Sequence, residues 1–255
     1  MSSDPTYVLV TGANRGIGRG LAEALLSRPN HVVVATIRNL DTSLRDYEPA
    51  EGSKLVVVKI DNTSSSDPPE AVETMKAAGI TRLDVVIANA GLAAKAPYHR
   101  VEDIALEEWR NLFEVNTFSF VPLFRAVRPL LKATVDQKGE GTAKLLVISS
   151  NAGQIGAGME PMANVLVANY GSSKAALNYL VRRTHFENPW LTSWAVNPGF
   201  VQTDSGNALA KDFGMAEAPH TVQQSAAGIL DIVSKATRPG TSGKFFMFDG
   251  TELTF

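Results

Sequence analysis

The sequence contains no cysteine. Disulfides and thiolate-ligated metal sites are therefore excluded, and a reducing compartment is the expected home. Histidine is scarce as well. His31, His99, His185 and His220 are the only four, none at a metal-type spacing from another, so no metal is expected. Neither sign of charge dominates: 24 basic and 26 acidic residues give a net charge of −2, and no basic face invites nucleic acid. No apolar run approaches the ~20 residues that span a bilayer. No apolar stretch of the signal-peptide kind precedes the first strand, which is expected from about residue 7. The expectation is a cytoplasmic chain with neither a membrane nor a nucleic acid as partner.

What is present is a repeating pattern. Short runs rich in Val, Ile and Leu occupy residues 7–11, 31–37, 54–60, 83–88, 144–149, 191–196 and 244–248. Such runs suit strands buried on both faces. Amphipathic stretches lie between them at 16–27, 68–78, 106–133, 170–187 and 221–236, with Pro122 and Pro129 predicted to bend or break the third. The alternation predicts an α/β fold: a Rossmann-type doubly wound sheet of about seven parallel strands with helices on both faces. The 255 residues, 44% of them hydrophobic, fit a single domain over 1–255. Two insertions, 151–169 and 203–220, are rich in glycine and proline and are expected to be irregular loops. Long loops in compact domains often serve as lids over a site, and the alternative is a permissive surface loop.

Gly12, Gly16 and Gly18 fall between the first strand and the first helix, with Asn14, Arg15 and Ile17 completing the loop. Glycine lets the backbone approach a pyrophosphate, and the helix start offers free N–H groups. The alternative is a tight turn with no ligand. The second strand runs into Ile37 and Arg38, where an NAD site would place an acidic residue for the ribose 2′-hydroxyl. Arg38 and Arg15 instead suit a 2′-phosphate, so NADPH (or NADP+) is expected over NADH, unless both guanidiniums are merely solvated. Asp61 and Asn62 follow the third strand and could meet the adenine. Asn89, Ala90 and Gly91 follow the fourth. Both places are carboxyl ends of strands, where open α/β sheets bind ligands.

Tyr170 and Lys174 stand one helical turn apart in Tyr-Gly-Ser-Ser-Lys. Alone they could be an ordinary helix-face pair. With the Thr11–Gly18 loop, Ala88-Asn89-Ala90-Gly91, Asn116, Ser150, Pro198-Gly199 and Thr203, the chain resembles one-domain short-chain dehydrogenases/reductases over nearly its full length. The resemblance implies that Tyr170 gives a proton to a carbonyl oxygen as hydride reaches its carbon. It implies that Ser150 orients that oxygen. It further implies that Lys174 lowers the phenol pKa and grips the nicotinamide ribose, and that Asn116 holds a water linking Lys174 to solvent. Pro198, Gly199, Val201 and Thr203 would complete the cofactor site. Ser149 is a neighbouring candidate for the serine, and Asn116 could instead be structural. The gap of 20 residues from Ser150 to Tyr170 exceeds the family's usual dozen or so.

For substrate, Ala93, Ala94 and the two insertions supply Met159, Met162, Val165, Leu166, Phe200, Leu209, Phe213 and Met215. Ala93, Ser150, Met159, Met162, Phe200 and Phe213 are the expected contacts, suiting a bulky apolar or aromatic carbonyl compound. The alternative is that several of them pack the core or a subunit contact. The run Val33 to Asn39 and the Ala88 variant resemble fungal ketoreductases of the norsolorinic-acid type and related carbonyl reductases. That implies reduction of a polyketide ketone. The competing readings are an NADP-dependent alcohol dehydrogenase working oxidatively, a non-catalytic NADPH sensor, and an epimerase or dehydratase. A homodimer or homotetramer joined through the long helices is what the resemblance implies for association.

Overall fold

The apolar runs do form strands: β1 (Thr6–Thr11), β2 (His31–Ile37), β3 (Lys54–Lys59), β4 (Val85–Ala88), β5 (Lys144–Ile148), β6 (Thr192–Asn197) and β7 (Phe245–Met247). A two-residue β8 (Glu252–Leu253) follows. The structure is a computed structural model and describes residues 4–41, 43–95 and 98–255. One sheet holds all eight strands in the order β3-β2-β1-β4-β5-β6-β7-β8. Seven are parallel, as the buried runs predict. The eighth pairs antiparallel with β7, Phe245 opposite Leu253. Two residues are too short a run to read from pattern.

Among the described residues eight α-helices accompany the strands: α1 (Gly16–Leu26), α2 (Asp67–Ala77), α3 (Leu106–Phe113), α4 (Phe120–Lys138), α5 (Ala168–Glu187), α6 (Asp204–Asp212), α7 (Val222–Lys235) and α8 (Arg238–Thr241). Helices α2, α4 and α5 cover one face, where Val127, Leu131, Leu177 and Val181 pack with Leu9, Val86 and Leu145. Helices α1 and α7 cover the other, where Leu21, Leu25, Ile229 and Leu230 pack with Val33, Leu146 and Trp194. Each such side chain taken from water contributes about 2 kcal/mol before the entropy cost of ordering it. Strand order reverses between β1 and β4, so the crevice at their carboxyl ends is where a ligand should lie.

The long helix expected over 106–133 is broken, but not by proline. A π turn spans Glu114–Phe118, and the Ser119 N–H reaches back five residues to the Glu114 carbonyl at 3.1 Å. Pro122 lies in the first turn of α4, where no N–H is needed, and Pro129 is carried inside the helix. The insertions are more regular than glycine content predicted. Residues 151–169 hold two 3-10 turns, Asn151–Gly153 and Gly156–Met162. Residues 203–220 hold α6, capped by the Thr203 hydroxyl, which accepts from the Gly206 N–H at 3.0 Å.

Candidate active site

A cleft of about 930 Å³ opens at the carboxyl ends of β1 and β4. Its inner wall is the glycine loop, and it fits a dinucleotide. Gly12 has φ +66°, and a Cβ there would stand 2.9 Å from the Ala90 Cα. At Gly18 a Cβ would come within 2.4 Å of the Asn89 amide and the Gly12 carbonyl. Only glycine allows this approach. Helix α1 starts at Arg15 with no side-chain cap, which leaves its N-terminal dipole to a ligand. Asn89 fixes the loop from the next strand. Its side-chain amide donates to the Thr11 carbonyl at 2.8 Å, and the Thr11 hydroxyl accepts from the Asn89 and Ala90 N–H groups at 2.9 Å.

Asn14, Arg15, Gly16, Ile17, Arg38, Asp61, Asn62, Gly91, Pro198 and Thr203 also line the cleft. Gly199 and Val201 do not. Gly199 presses on Phe248, while Val201 is buried and bridges to His220. Two lining residues are already engaged. Asn62 donates to the Val115 carbonyl and the Ser119 hydroxyl, toward the π turn. Asp61 accepts from the Thr63 N–H and hydroxyl. Those bonds, with the nearby Arg38 charge, hold its carboxyl below the usual range.

Arg15 is paired with Asp204 at the start of α6, 3.2 Å away, and both side chains are at least 75% exposed. An exposed pair of this kind is worth about 1 kcal/mol at most. A phosphate dianion would draw the guanidinium away at small cost. Asp204→Asn should therefore tighten NADPH binding by a few-fold, read by fluorescence titration. Weaker binding would mean that the pair organises the site instead of competing with the ligand.

Deeper in the cleft, Tyr170 and Lys174 line the wall from α5. The Lys174 ammonium lies 5.9 Å from the centre of the Tyr170 ring and donates to the Ile148 carbonyl at 3.1 Å. Lys174 is buried and Tyr170 half-buried, and desolvation is the main cause of both shifts. The phenol is pushed up, against a smaller lowering by its hydrogen bond with Ser150. The ammonium is pushed down to about 8. The expected lowering of the phenol by Lys174 thus gives way to desolvation, because the lysine turns to the end of β5. A neutral phenol is an acid at rest, which suits proton donation.

The two candidate serines differ in place and partner: Ser149 lines the cleft and Ser150 does not. The Ser149 hydroxyl is buried and donates to the Asn178 side chain on α5 at 2.5 Å. Ser150 faces the phenol and caps the first 3-10 turn, where its oxygen accepts from the Ala152 N–H at 3.1 Å. Asn116 sits in the π turn, buried and off the cleft wall. Its amide clamps the Leu92 backbone, accepting from the N–H at 2.7 Å and donating to the carbonyl at 3.0 Å, and also donates to Ser173. Its side chain therefore holds the segment after β4 and α5, in place of a bond back to its own helix.

Of the expected substrate contacts, Ala93 lines the cleft. Ser150, Met159, Met162, Phe200 and Phe213 do not line it. Met159 and Phe213 face solvent, and Phe213 stacks with Tyr98 at 6.4 Å. The Tyr98 hydroxyl donates to Asp212 at 2.9 Å, with its pKa pushed up to about 12 chiefly by burial. Lys95 after β4, Asn111 on α3 and Ser205 and Asn207 on α6 also line the cleft and were missed, because isolated polar residues carry no apolar periodic signal. Among the described residues no group of three His, Asp or Glu could hold a metal, and no helix is long and apolar enough to cross a membrane.

Comparison with known proteins agrees with this geometry. Residues 6–213 match the short chain dehydrogenase family. A short-chain dehydrogenase of Pyricularia oryzae is 42% identical, over 98% of this chain and 99% of its own. A norsolorinic acid ketoreductase of Dothistroma septosporum is also 42% identical, over 98% of this chain and 93% of its own. Among solved structures, NADPH-bound carbonyl reductase from chicken fatty liver superposes with a TM-score of 0.82 at 28% identity, covering 99% of this chain and all of that one.

Proposed function

This chain belongs to the short-chain dehydrogenase family, and within it we propose that the protein is an NADPH-dependent ketoreductase for bulky apolar or aromatic carbonyl compounds. Its class is oxidoreductase, its relatives include ketoreductases and carbonyl reductases, and the family binds a nicotinamide cofactor. One observation carries the finer reading. One cleft joins a glycine loop, two arginines, Tyr170 and Lys174, with no carboxylate at the end of β2, and Ser150 bonds the Tyr170 phenol.

The cofactor would supply hydride. Its pyrophosphate fits the Gly12–Gly18 loop, and Arg38 and Arg15 suit a 2′-phosphate. Ser150 would donate to the carbonyl oxygen, its own oxygen already held by Ala152. Tyr170, kept protonated by burial, would give that oxygen its proton. Lys174 would hold the ribose and, with a pKa of about 8, carry charge at neutral pH. The NADPH bound to the chicken carbonyl reductase supports the cofactor choice. The norsolorinic acid ketoreductase relatives, and apolar Leu92, Ala93 and Val115 in the cleft, support a large, flat aromatic ketone of the polyketide kind as substrate. The segments 151–169 and 203–220 would flank that substrate as lids. Exposed Phe118 in the π turn and Val121 in the first turn of α4, with Tyr179 and Phe186 on α5, suit a homodimer or homotetramer. The proposed location is the cytoplasm.

Arg38→Asp tests the cofactor assignment. Losing a charge-assisted bond and adding a like charge should lower the NADPH-to-NADH ratio of kcat/KM by about 10- to 100-fold. An unchanged ratio would remove Arg38 from the 2′-phosphate site.

A further inference from the structure

Ser150 must aim a hydroxyl, and its turn is held both by α5, where Asn178 donates to the Gly153 carbonyl at 3.4 Å, and by a contact a hundred residues away. The first 3-10 turn, Asn151–Gly153, is closed by the Gly153 N–H to the Ser150 carbonyl and the Gln154 N–H to the Asn151 carbonyl, both at 3.0 Å. Beyond Asn151–Gly153 the chain is anchored by the Gln154 side chain. That amide is 7% exposed and donates to the Thr254 carbonyl at 2.8 Å and to the Thr254 hydroxyl at 3.2 Å. A Cβ at Gly158 would stand 2.5 Å from the same amide nitrogen, so the second 3-10 turn rests on it too.

The acceptor side is fixed in its turn by the core. Strand β8 pairs with β7, Lys244 bonds Glu252 at 2.9 Å, and the Phe255 ring stacks on buried Phe245 at 5.6 Å. The Arg182 guanidinium lies over Phe255 and donates to the Gly243 carbonyl. A buried amide with a donor to satisfy has a strong preference for one geometry, because leaving it unpaired costs about 1–3 kcal/mol.

We propose that Gln154 is a positioning residue for carbonyl reduction: tied to Thr254 just after β8, it fixes the turn through which the Ser150 hydroxyl is aimed. This rests on the reading of Ser150 as the group that orients the carbonyl. Gln154 lies off the cleft wall, so it acts only through that turn.

The test is a double-mutant cycle with phenanthrenequinone as probe, joined to hydrogen–deuterium exchange. Gln154→Leu should lower kcat/KM about tenfold, the scale expected when a catalytic group is slightly misplaced. The NADPH dissociation constant should stay within about twofold, since no cofactor contact changes. In a Ser150→Ala background the same substitution should cause no further loss. Amide exchange over residues 151–162 should rise in Gln154→Leu while the glycine loop is unchanged. Thr254→Val, a milder change should Gln154→Leu fold poorly, should give a smaller loss with the same dependence on Ser150. An equal loss in both backgrounds, or unchanged exchange over 151–162, would overturn the proposal. If Ser150→Ala alone left kcat/KM unaltered, the Ser150 reading would fail and the proposal with it, whereas a failed brace leaves the Ser150→Ala loss intact.

Discussion

Tyr170→Phe should lower kcat by about a thousandfold, in the range that a positioned general acid contributes. The substitution keeps the ring and removes only the hydroxyl, which bonds Ser150 and is held protonated by burial. The glycine loop and Arg38 are untouched, so NADPH affinity should stay within about twofold, as for any change that removes an interaction made only in the transition state. Single-turnover kinetics and fluorescence titration separate the two quantities. Lost binding would make Tyr170 a structural residue of the cofactor site. The raised phenol pKa also fixes the sign of the pH response. Reduction needs the protonated phenol, so its rate should hold through neutral pH and fall on the alkaline side.

Lys174→Met should abolish turnover and yet stabilise the cofactor-free protein. Lys174 is 5% exposed, and burial lowers its pKa from 10.5 to about 8. A drop of that size corresponds to about 3 kcal/mol of cost for holding the charge in the fold. Between pH 8 and 10.5 the unfolded chain binds more protons than the folded one, so stability rises with pH across that window. The cost is fully present below about pH 8 and gone above about 10.5. Methionine has similar length and no charge. It forfeits the bond to the Ile148 carbonyl, worth about 1 kcal/mol. The net gain at pH 7 should be about 2 kcal/mol, or a Tm higher by about 4–8 °C for a chain of this size. The gain should shrink as pH rises from 8 to 10.5. A lower Tm at pH 7 would show that the ammonium is favourably placed even without a ligand. The expected trade is stability given up at a site for the sake of its chemistry.

Legibility in the sequence followed distance along the chain. The glycine loop and the Tyr170–Lys174 pair were readable because their parts sit within one or two helical turns. The seven parallel strands were readable because burial on both faces leaves an unbroken apolar run. The residues that tune the site are paired across long separations and left no pattern. Arg15 meets Asp204 189 positions away, and Gln154 meets Thr254 across 100. The π turn at Asn116 was hidden because its residues favour helix as well as their neighbours do, and only the Glu114–Ser119 bond reveals the extra residue. Met159, Met215 and Phe213 read as substrate wall from composition, whereas packing turned them outward and left polar Lys95, Asn111 and Asn207 at the cleft. The pKa logic of the tyrosine depended on where the Lys174 ammonium turned, and spacing alone does not set that.

The most direct test of the ketoreductase reading is the initial rate of NADPH and NADH oxidation by the purified protein across a panel from small aliphatic ketones to fused-ring aromatic ketones and quinones. The expected result is rapid NADPH oxidation with the bulky aromatic members, slow reaction with the small ketones, and little use of NADH. Tight NADPH binding with no turnover on any member, or a preference for NADH, would contradict it.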